Sequence, residues 1–167
     1  MLLSQEYIIV KNVAYYLYYV LLSLWTGGIA LFTFIITPVI FKSYSRDLAG
    51  EIVGQLFPGY FLYNLVLSIL AFILFLLTGT EMVQQRFRVS LFCLVIAVLI
   101  NLFVYFRLHP EIRIIKKEIH SFEAVSSDDP LRKKFRRLHA LSATLNLLLL
   151  ADGVSLLLTG TVKKRSV

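Results

Sequence analysis

The chain has 167 residues, 58% of them hydrophobic, and a mean hydropathy of +0.77. It is too apolar for a soluble domain of this length, which excludes a water-soluble enzyme or binding module. The net charge of +7 indicates Lys and Arg residues that flank membrane spans rather than a nucleic-acid partner.

The first span is predicted over residues 12–41, which carry no charged side chain. This run exceeds the about 20 residues that cross a bilayer, so we expect a tilt, a kink or a projecting end. Pro38 is the expected kink, because it leaves the carbonyl of Phe34 without its helical donor. Small residues at helical spacing predict a seam for close helix packing, with a cofactor or permeation groove as the alternative. The seam consists of Thr26, Ala30, Thr33 and Thr37, with Gly27 and Gly28 beside it.

The chain becomes more polar after the first span. Apolar and charged residues alternate at helical spacing over about 45–57, which predicts a short amphipathic helix in the membrane interface. The tetrapeptide Phe57–Tyr60 contains Pro and Gly and predicts a break, after which the second span runs over 58–80. Asn64 and Ser68 lie one helical turn apart in this span, suited to bonding another helix.

The second half of the chain repeats the alternation of apolar and polar stretches. The third span is predicted over 89–106, and a basic helix from His109 follows it outside the membrane. Asp129 can cap the last helix while Pro130 takes its first position. The apolar part of that helix is the fourth span, over 138–162.

These elements predict an all-α membrane protein, a four-helix transmembrane bundle in one domain over residues 1–167. A short interfacial helix follows the first span, and a helical extramembrane connection joins spans three and four. Most Lys and Arg residues lie in the connections at 42–57 and 107–138, so we expect these connections to be cytoplasmic and the termini outside. The expected location is the bacterial inner membrane.

Three groups of residues together have the order and spacing of a known family. They are Gly28 with Phe32, Pro38 and Phe41; Ala49-Gly50 leading to Leu56-Phe57-Pro58-Gly59-Tyr60-Phe61; and Phe135-Arg136-Arg137-Leu138-His139-Ala140-Leu141-Ser142 with Asn146 downstream. In these residues the chain resembles the transmembrane protein 205-like family, whose bacterial members carry a domain of unassigned function. The chain departs from the family at Ala140, where glycine is expected, and at Asp152, where a neutral polar residue is expected.

The resemblance covers nearly the whole chain and implies a four-helix integral membrane protein, with family-level links to drug or metal tolerance. It also implies a set of structural positions. These are Gly28, Pro38, Phe41, Gly50, Phe57, Pro58, Tyr60 and Phe135.

The candidate functional cluster lies on the last helix. His139, Ser142 and Asn146 share one face at the mouth of the fourth span, facing the first span in this prediction. A helix cap or an ordinary hydrogen bond at the interface is the alternative role for His139. Asp152 is a charged residue deep within a span, where a carboxylate costs at least about 2.5 kcal/mol, so we expect it to face the bundle. It is a proton or cation site, or else it makes a hydrogen bond to a residue such as Asn64 or Asn101.

A metal or haem site is the alternative to a protein without a cofactor. His109 and His139 are expected at the same membrane surface, where two imidazoles can ligate haem b or a metal ion. No third or fourth ligand accompanies them in the sequence, so we predict no cofactor.

The basic run before the fourth span is expected to bind anionic phospholipids of the bilayer rather than nucleic acid. It contains Arg132, Lys133, Lys134, Arg136 and Arg137. Neither a nucleophile with a nearby base nor a phosphate-binding loop occurs in the sequence, which disfavours an enzyme.

Three hypotheses for function follow. The first is transport or permeability, including tolerance to metals or toxic compounds. The second is a haem- or metal-binding redox subunit that uses His109 and His139. The third is a structural accessory subunit, either in a homo-oligomer or in a larger membrane complex.

Overall fold

The computed structural model describes residues 2–78, 84–119, 121–124 and 126–161, and these residues contain no β-strand. The predicted ends of the second and fourth spans, at residues 80 and 162, lie outside them. The helices are α1 (Leu2–Leu31), α2 (Thr37–Ser43), α3 (Arg46–Thr78), α4 (Gln84–Phe103), α5 (His109–Glu118) and α6 (Pro130–Thr161). Two π-helical turns, Phe32–Ile36 and Val104–Leu108, connect α1 to α2 and α4 to α5.

The helices form four rods. The π turns continue the chain direction, so α1 with α2 forms one rod and α4 with α5 another, while α3 and α6 are rods by themselves. Each rod is long and apolar enough to cross a membrane. Helices α3 and α6 each pack against both α1 and α4, which closes a four-membered bundle. The predicted all-α, four-helix transmembrane bundle is confirmed.

Neighbouring rods are antiparallel. The ring of Tyr18 in α1 lies 5.8 Å from that of Phe75 near the end of α3, while Phe32 stacks on Tyr60 near its start, with ring centroids 4.1 Å apart. The connections after α2 and after α5 therefore lie at one end of the bundle. We refer to this end, with α2, α5 and the first turns of α3 and α6, as the loop end.

A proline follows each π turn two residues later. Phe32–Ile36 precedes Pro38, and Val104–Leu108 precedes Pro110. In both turns a backbone N–H bonds to the carbonyl five residues earlier, which makes room for a proline ring that would collide with a carbonyl in a regular helix. The kink predicted at Pro38 thus takes the form of a π turn.

The break predicted around Pro58 is wrong, because Pro58 lies inside the continuous helix α3. The segment 45–57, predicted as a separate interfacial helix, largely forms the first turns of α3. Protein contacts hold this segment in line with the span: Lys116 Nζ donates to the carbonyl of Gly50, and Val53 is 3% exposed. Pro58 has no N–H and so costs the helix one backbone hydrogen bond. The contacts with α5 and the connection after it stabilise the helix enough to offset that cost.

Buried apolar side chains form two clusters inside the bundle. The larger lies away from the loop end and contains Tyr18, Leu22, Trp25, Ile29, Ala71, Phe75, Leu94, Ala97, Leu149 and Leu156. The smaller lies towards the loop end and contains Phe61, Val104, Leu108 and Ile112. The stretch of bundle between them holds three asparagine side chains.

Candidate functional site

Three asparagines form a polar layer between the two apolar clusters. Asn64 of α3, Asn101 of α4 and Asn146 of α6 each lie, along their own helix, between residues of one cluster and residues of the other. Because the rods are antiparallel and share both clusters, the three residues come to a similar height in the bundle. Asn64 is 1% exposed and Asn101 is 2% exposed.

A hydrogen-bond chain links this layer to the first rod. The Tyr60 hydroxyl donates to Asn146 Oδ1 at 2.5 Å, and Asn146 Nδ2 donates to Thr33 Oγ1 at 2.8 Å. Asn64 lies within hydrogen-bonding reach of the same tyrosine hydroxyl. Three rods are therefore joined by side chains, and Thr33 supplies its hydroxyl from within a π turn.

The polar layer retains one acceptor and one donor without a partner. Within the described part of the chain, no hydrogen bond reaches Asn64 Oδ1 or Asn101 Nδ2, and both atoms are buried. Leaving such a group unpaired costs about 1–3 kcal/mol, and a bilayer interior supplies no bulk water to repair the loss. The layer can thus accept a hydrogen bond from a small guest and donate one to it.

A second polar group lies within the larger cluster, around Asp152. Cys93 of α4 is within hydrogen-bonding reach of the Asp152 carboxyl, and Tyr18 of α1 is a close electrostatic neighbour. Asp152 Oδ2 is buried and receives no hydrogen bond from the described residues. The carboxyl faces the bundle as expected, but its neighbour on α4 is Cys93 rather than Asn101.

The small-residue seam of the first rod makes one close contact with α6 and one with α3. Gly153 lies against Thr26, with so little space that an added Cβ would lie 3.3 Å from Thr26 Cβ and still closer to its hydroxyl. Two residues further towards the loop end, Gly28 lies under the ring of Tyr63 of α3, whose hydroxyl donates to the Leu24 carbonyl at 2.5 Å. The backbones of α1 and α6 approach closely where Thr26 meets Gly153, because Gly153 has no side chain.

The two candidate haem ligands have different surroundings. His109 is 9% exposed, and its ring centroid lies 5.1 Å from that of Phe61 and 6.1 Å from that of Phe57. The exposed His139 stacks on Phe135 of its own helix at 5.8 Å. Among the residues that the structure describes, no group of three or more His, Cys, Asp or Glu side chains is placed to hold a metal ion.

The predicted cluster on the last helix divides into separate environments. Asn146 belongs to the polar layer, Asp152 to the deeper group, and His139 to the surface, while Ser142 is half-buried. The prediction did not connect Asn146 with Tyr60. The signal in the sequence was the occurrence of one asparagine inside each of three apolar runs.

The basic run at the start of α6 is partly engaged by acidic residues. Lys133 lies 3.1 Å from Asp128 and Lys134 lies 3.2 Å from Glu111, both as exposed ion pairs. Asp129 Oδ1 accepts hydrogen bonds from the N–H groups of residues 131 and 132, so the predicted helix cap is confirmed.

The loop end is tied together around Asp47 in the first turn of α3. Its carboxylate accepts a hydrogen bond from Ser121 Oγ at 2.6 Å and another from the Phe122 N–H at 2.7 Å. Glu123 Oε1 accepts from the Arg46 N–H at 3.1 Å. With Lys116 bound to the Gly50 carbonyl, these contacts join the connection after α5 to the projecting part of α3.

Residues 20–121 match the model of a sequence family described as a domain of unknown function, DUF4149. The matched region includes Tyr60, Asn64 and Asn101 of the polar layer and ends before α6, which carries Asn146. No curated protein and no solved structure matches the chain.

Proposed function

From the premise that this chain belongs to the DUF4149 family, we propose that it is a small transport or permeability protein. Its polar layer binds small neutral solutes inside the bundle and lets them cross. The solutes it takes carry a hydroxyl or an amide, because such groups both donate and accept a hydrogen bond.

The observation that supports this function is the pair of unpartnered atoms in the layer. Asn64 Oδ1 and Asn101 Nδ2 offer complementary hydrogen-bonding groups at the level where the bundle passes between its two apolar clusters. A layer that served only to join helices would gain stability by satisfying both groups.

Further polar groups extend the proposed route away from the loop end. Three further polar atoms are buried and make no hydrogen bond within the described chain: Thr26 Oγ1, Ser90 Oγ and Asp152 Oδ2. A solute that leaves the asparagine layer would therefore meet successive hydrogen-bonding groups within the larger apolar cluster. In this proposal Asp152 acts as one of these groups.

The resemblance to the transmembrane protein 205-like family agrees with such a role, because export of a toxic compound is one route to tolerance. The proposed location is the bacterial inner membrane, with the loop end in the cytoplasm, as the distribution of Lys and Arg favours.

The test is solute flux in proteoliposomes. Stopped-flow light scattering would measure glycerol and urea entry into vesicles with the protein and into matched empty vesicles. We expect faster entry with the protein, and a loss of most of this increase in Asn64→Leu and Asn101→Leu, which remove the hydrogen-bonding groups at similar volume.

Thr144→Val is the matched control, because Thr144 is exposed and its hydroxyl donates to the Ala140 carbonyl of its own helix. This variant should keep the wild-type flux. Equal entry rates in empty and protein-containing vesicles for both solutes would refute the proposal.

A further inference from the structure

A cleft lies at the loop end of the bundle, along α5. It has a volume of about 320 Å³ and is lined by His109, Pro110, Arg113, Ile114 and Lys117 of α5. The three basic residues recur every four positions, so they follow one another up a single face of the helix. The cleft is separate from the asparagine layer and plays no part in the proposed solute route.

The two cations of the cleft are available to an external anion. Arg113 and Lys117 are exposed, and neither has an ion-pair partner in the part of the chain that the structure describes. Glu111 of the same helix points away from the cleft, because it pairs with Lys134 of α6. An arginine beside a lysine suits a phosphate group, which the guanidinium can bind through two parallel hydrogen bonds.

The cleft also has an apolar wall. Ile114 is 60% exposed and Pro110 is exposed beside it. Phe106, one turn towards the membrane interior, is 67% exposed and faces the lipid. A phosphate bound by Arg113 and Lys117 would thus have apolar protein surface next to it on the membrane side.

We propose that this cleft binds an anionic glycerophospholipid. Arg113 and Lys117 hold the headgroup phosphate, and Ile114 and Pro110 contact the glycerol and the upper part of an acyl chain. The apolar wall is the reason to choose a lipid over free phosphate, which has no apolar part to place there. The negative charge of the lipid matches these two cations, which no described carboxylate pairs with.

The site differs from the basic run before the fourth span. In that run Lys133 and Lys134 already pair with acidic residues. On α5, Arg113 and Lys117 have no ion-pair partner among the described residues and lie in a cleft with an apolar wall. A lipid held there would fix α5 and the π turn below it against the bilayer surface.

The test is native mass spectrometry of the detergent-purified full chain with added phosphatidylglycerol, phosphatidylcholine or inorganic phosphate. Wild-type protein should prefer phosphatidylglycerol to phosphatidylcholine. The double variant Arg113→Gln/Lys117→Gln should bind phosphatidylglycerol about 25-fold more weakly, since each cation near a membrane surface contributes about fivefold. The variant Arg136→Gln/Arg137→Gln, with the same loss of charge in the basic run, should weaken the binding of phosphatidylglycerol clearly less than the α5 variant does.

Each other outcome overturns the proposal. Equal weakening in both variants would mean a diffuse basic surface, and weakening in the basic-run variant alone would move the site there. Inorganic phosphate that displaces the lipid at equal concentration would identify a free-phosphate site. Wild-type protein without a preference for phosphatidylglycerol would refute the site even if the α5 variant failed to fold, which circular dichroism would report.

Discussion

At the scale of the residue, the buried asparagines determine the character of the bundle interior. A fully apolar replacement of Asn64 or Asn101 would remove an unpaired group and would not lower the stability of the bundle on that account. Asn146 differs, because it bonds both Tyr60 and Thr33 and so holds three rods together. The same residue type thus has a structural role at one position and a ligand-binding role, in our proposal, at two others.

Close approach of α1 and α6 yields a prediction at Gly153. We expect Gly153→Ala to lower the free energy of unfolding by about 1–3 kcal/mol. The new methyl group would press on Thr26, a buried residue with a stiff side chain. Thermal unfolding in detergent, followed by circular dichroism, measures the change.

Gly27→Ala is the control for this prediction, since a Cβ at Gly27 meets no atom within 4 Å. It should leave the unfolding temperature unchanged or raise it slightly. The same loss of stability in both variants would contradict the close packing of α6 on Thr26.

At the scale of the element, α3 is one helix because its projecting turns are docked on protein. The apolar side of these turns packs at Val53 and Ala49, which are 3% and 0% exposed. The sequence pattern of this segment is that of a helix lying on lipid, and a helix docked on α5 needs the same pattern. Only the contacts across the loop end distinguish the two arrangements.

The hydrogen bonds around Asp47 provide a test of this docking. We expect Asp47→Asn to increase amide hydrogen exchange in residues 121–124, because the carboxylate that accepts from Ser121 and Phe122 is replaced by a weaker acceptor. Hydrogen-exchange mass spectrometry of the peptide that covers this segment measures the effect.

Asp128→Asn serves as the comparison, because the Asp128 side chain is 86% exposed in an ion pair that contributes little. This substitution should leave the exchange of residues 121–124 unchanged. Unaltered exchange in Asp47→Asn as well would show that the connection is held by other contacts.

At the scale of the whole molecule, the two halves have a common arrangement. Each half begins with a rod that contains a π turn followed by a proline, and continues with an uninterrupted helix. Both π turns lie towards the loop end, so α2 and α5 leave the two rods on the same side of the bundle. This likeness is absent from the residue pattern, in which we detect no internal repeat.

This arrangement predicts the sidedness of the chain in a membrane. Single cysteines at Ser45 and Ser127, placed in a Cys93→Ser background, should both react with an impermeant maleimide from the cytoplasmic side. A cysteine at Gln84, at the far end of the bundle, should react only from the opposite side. Labelling of Ser45 and Ser127 positions from different sides would refute the fold.

A second prediction for the whole molecule is that it binds no haem. His109 packs against two phenylalanines and His139 stacks on Phe135, so neither ring is held towards a shared haem position. Protein purified from cells supplied with haem precursor should be colourless. A Soret band that disappears in His109→Ala and His139→Ala variants would contradict this.

How far the sequence predicts the structure differs from feature to feature. Charge-poor runs fix the four spans, because a bilayer tolerates few charges, and Asp129 with Pro130 marks the start of α6. The continuity of α3 through Pro58 is not predictable from local pattern, because it depends on Lys116 and the connection after α5. Asn146 is recognisable as a candidate, whereas its link to Tyr60 depends on how the rods are aligned with one another.

The π turn in front of α5 has a consequence for the phase of the helix. Such a turn holds one residue more than an α-helical turn, so every later side chain points about 100° away from where an uninterrupted helix would place it. If residues 104–108 formed a regular α-helix instead, α5 would be rotated about its axis. Lys116 would then point away from the Gly50 carbonyl, and the cleft with Arg113 would face a different side. Deleting one residue within Val104–Leu108 would remove the extra residue of the π turn. A regular α-helix would then present the same face of α5 as the present chain does.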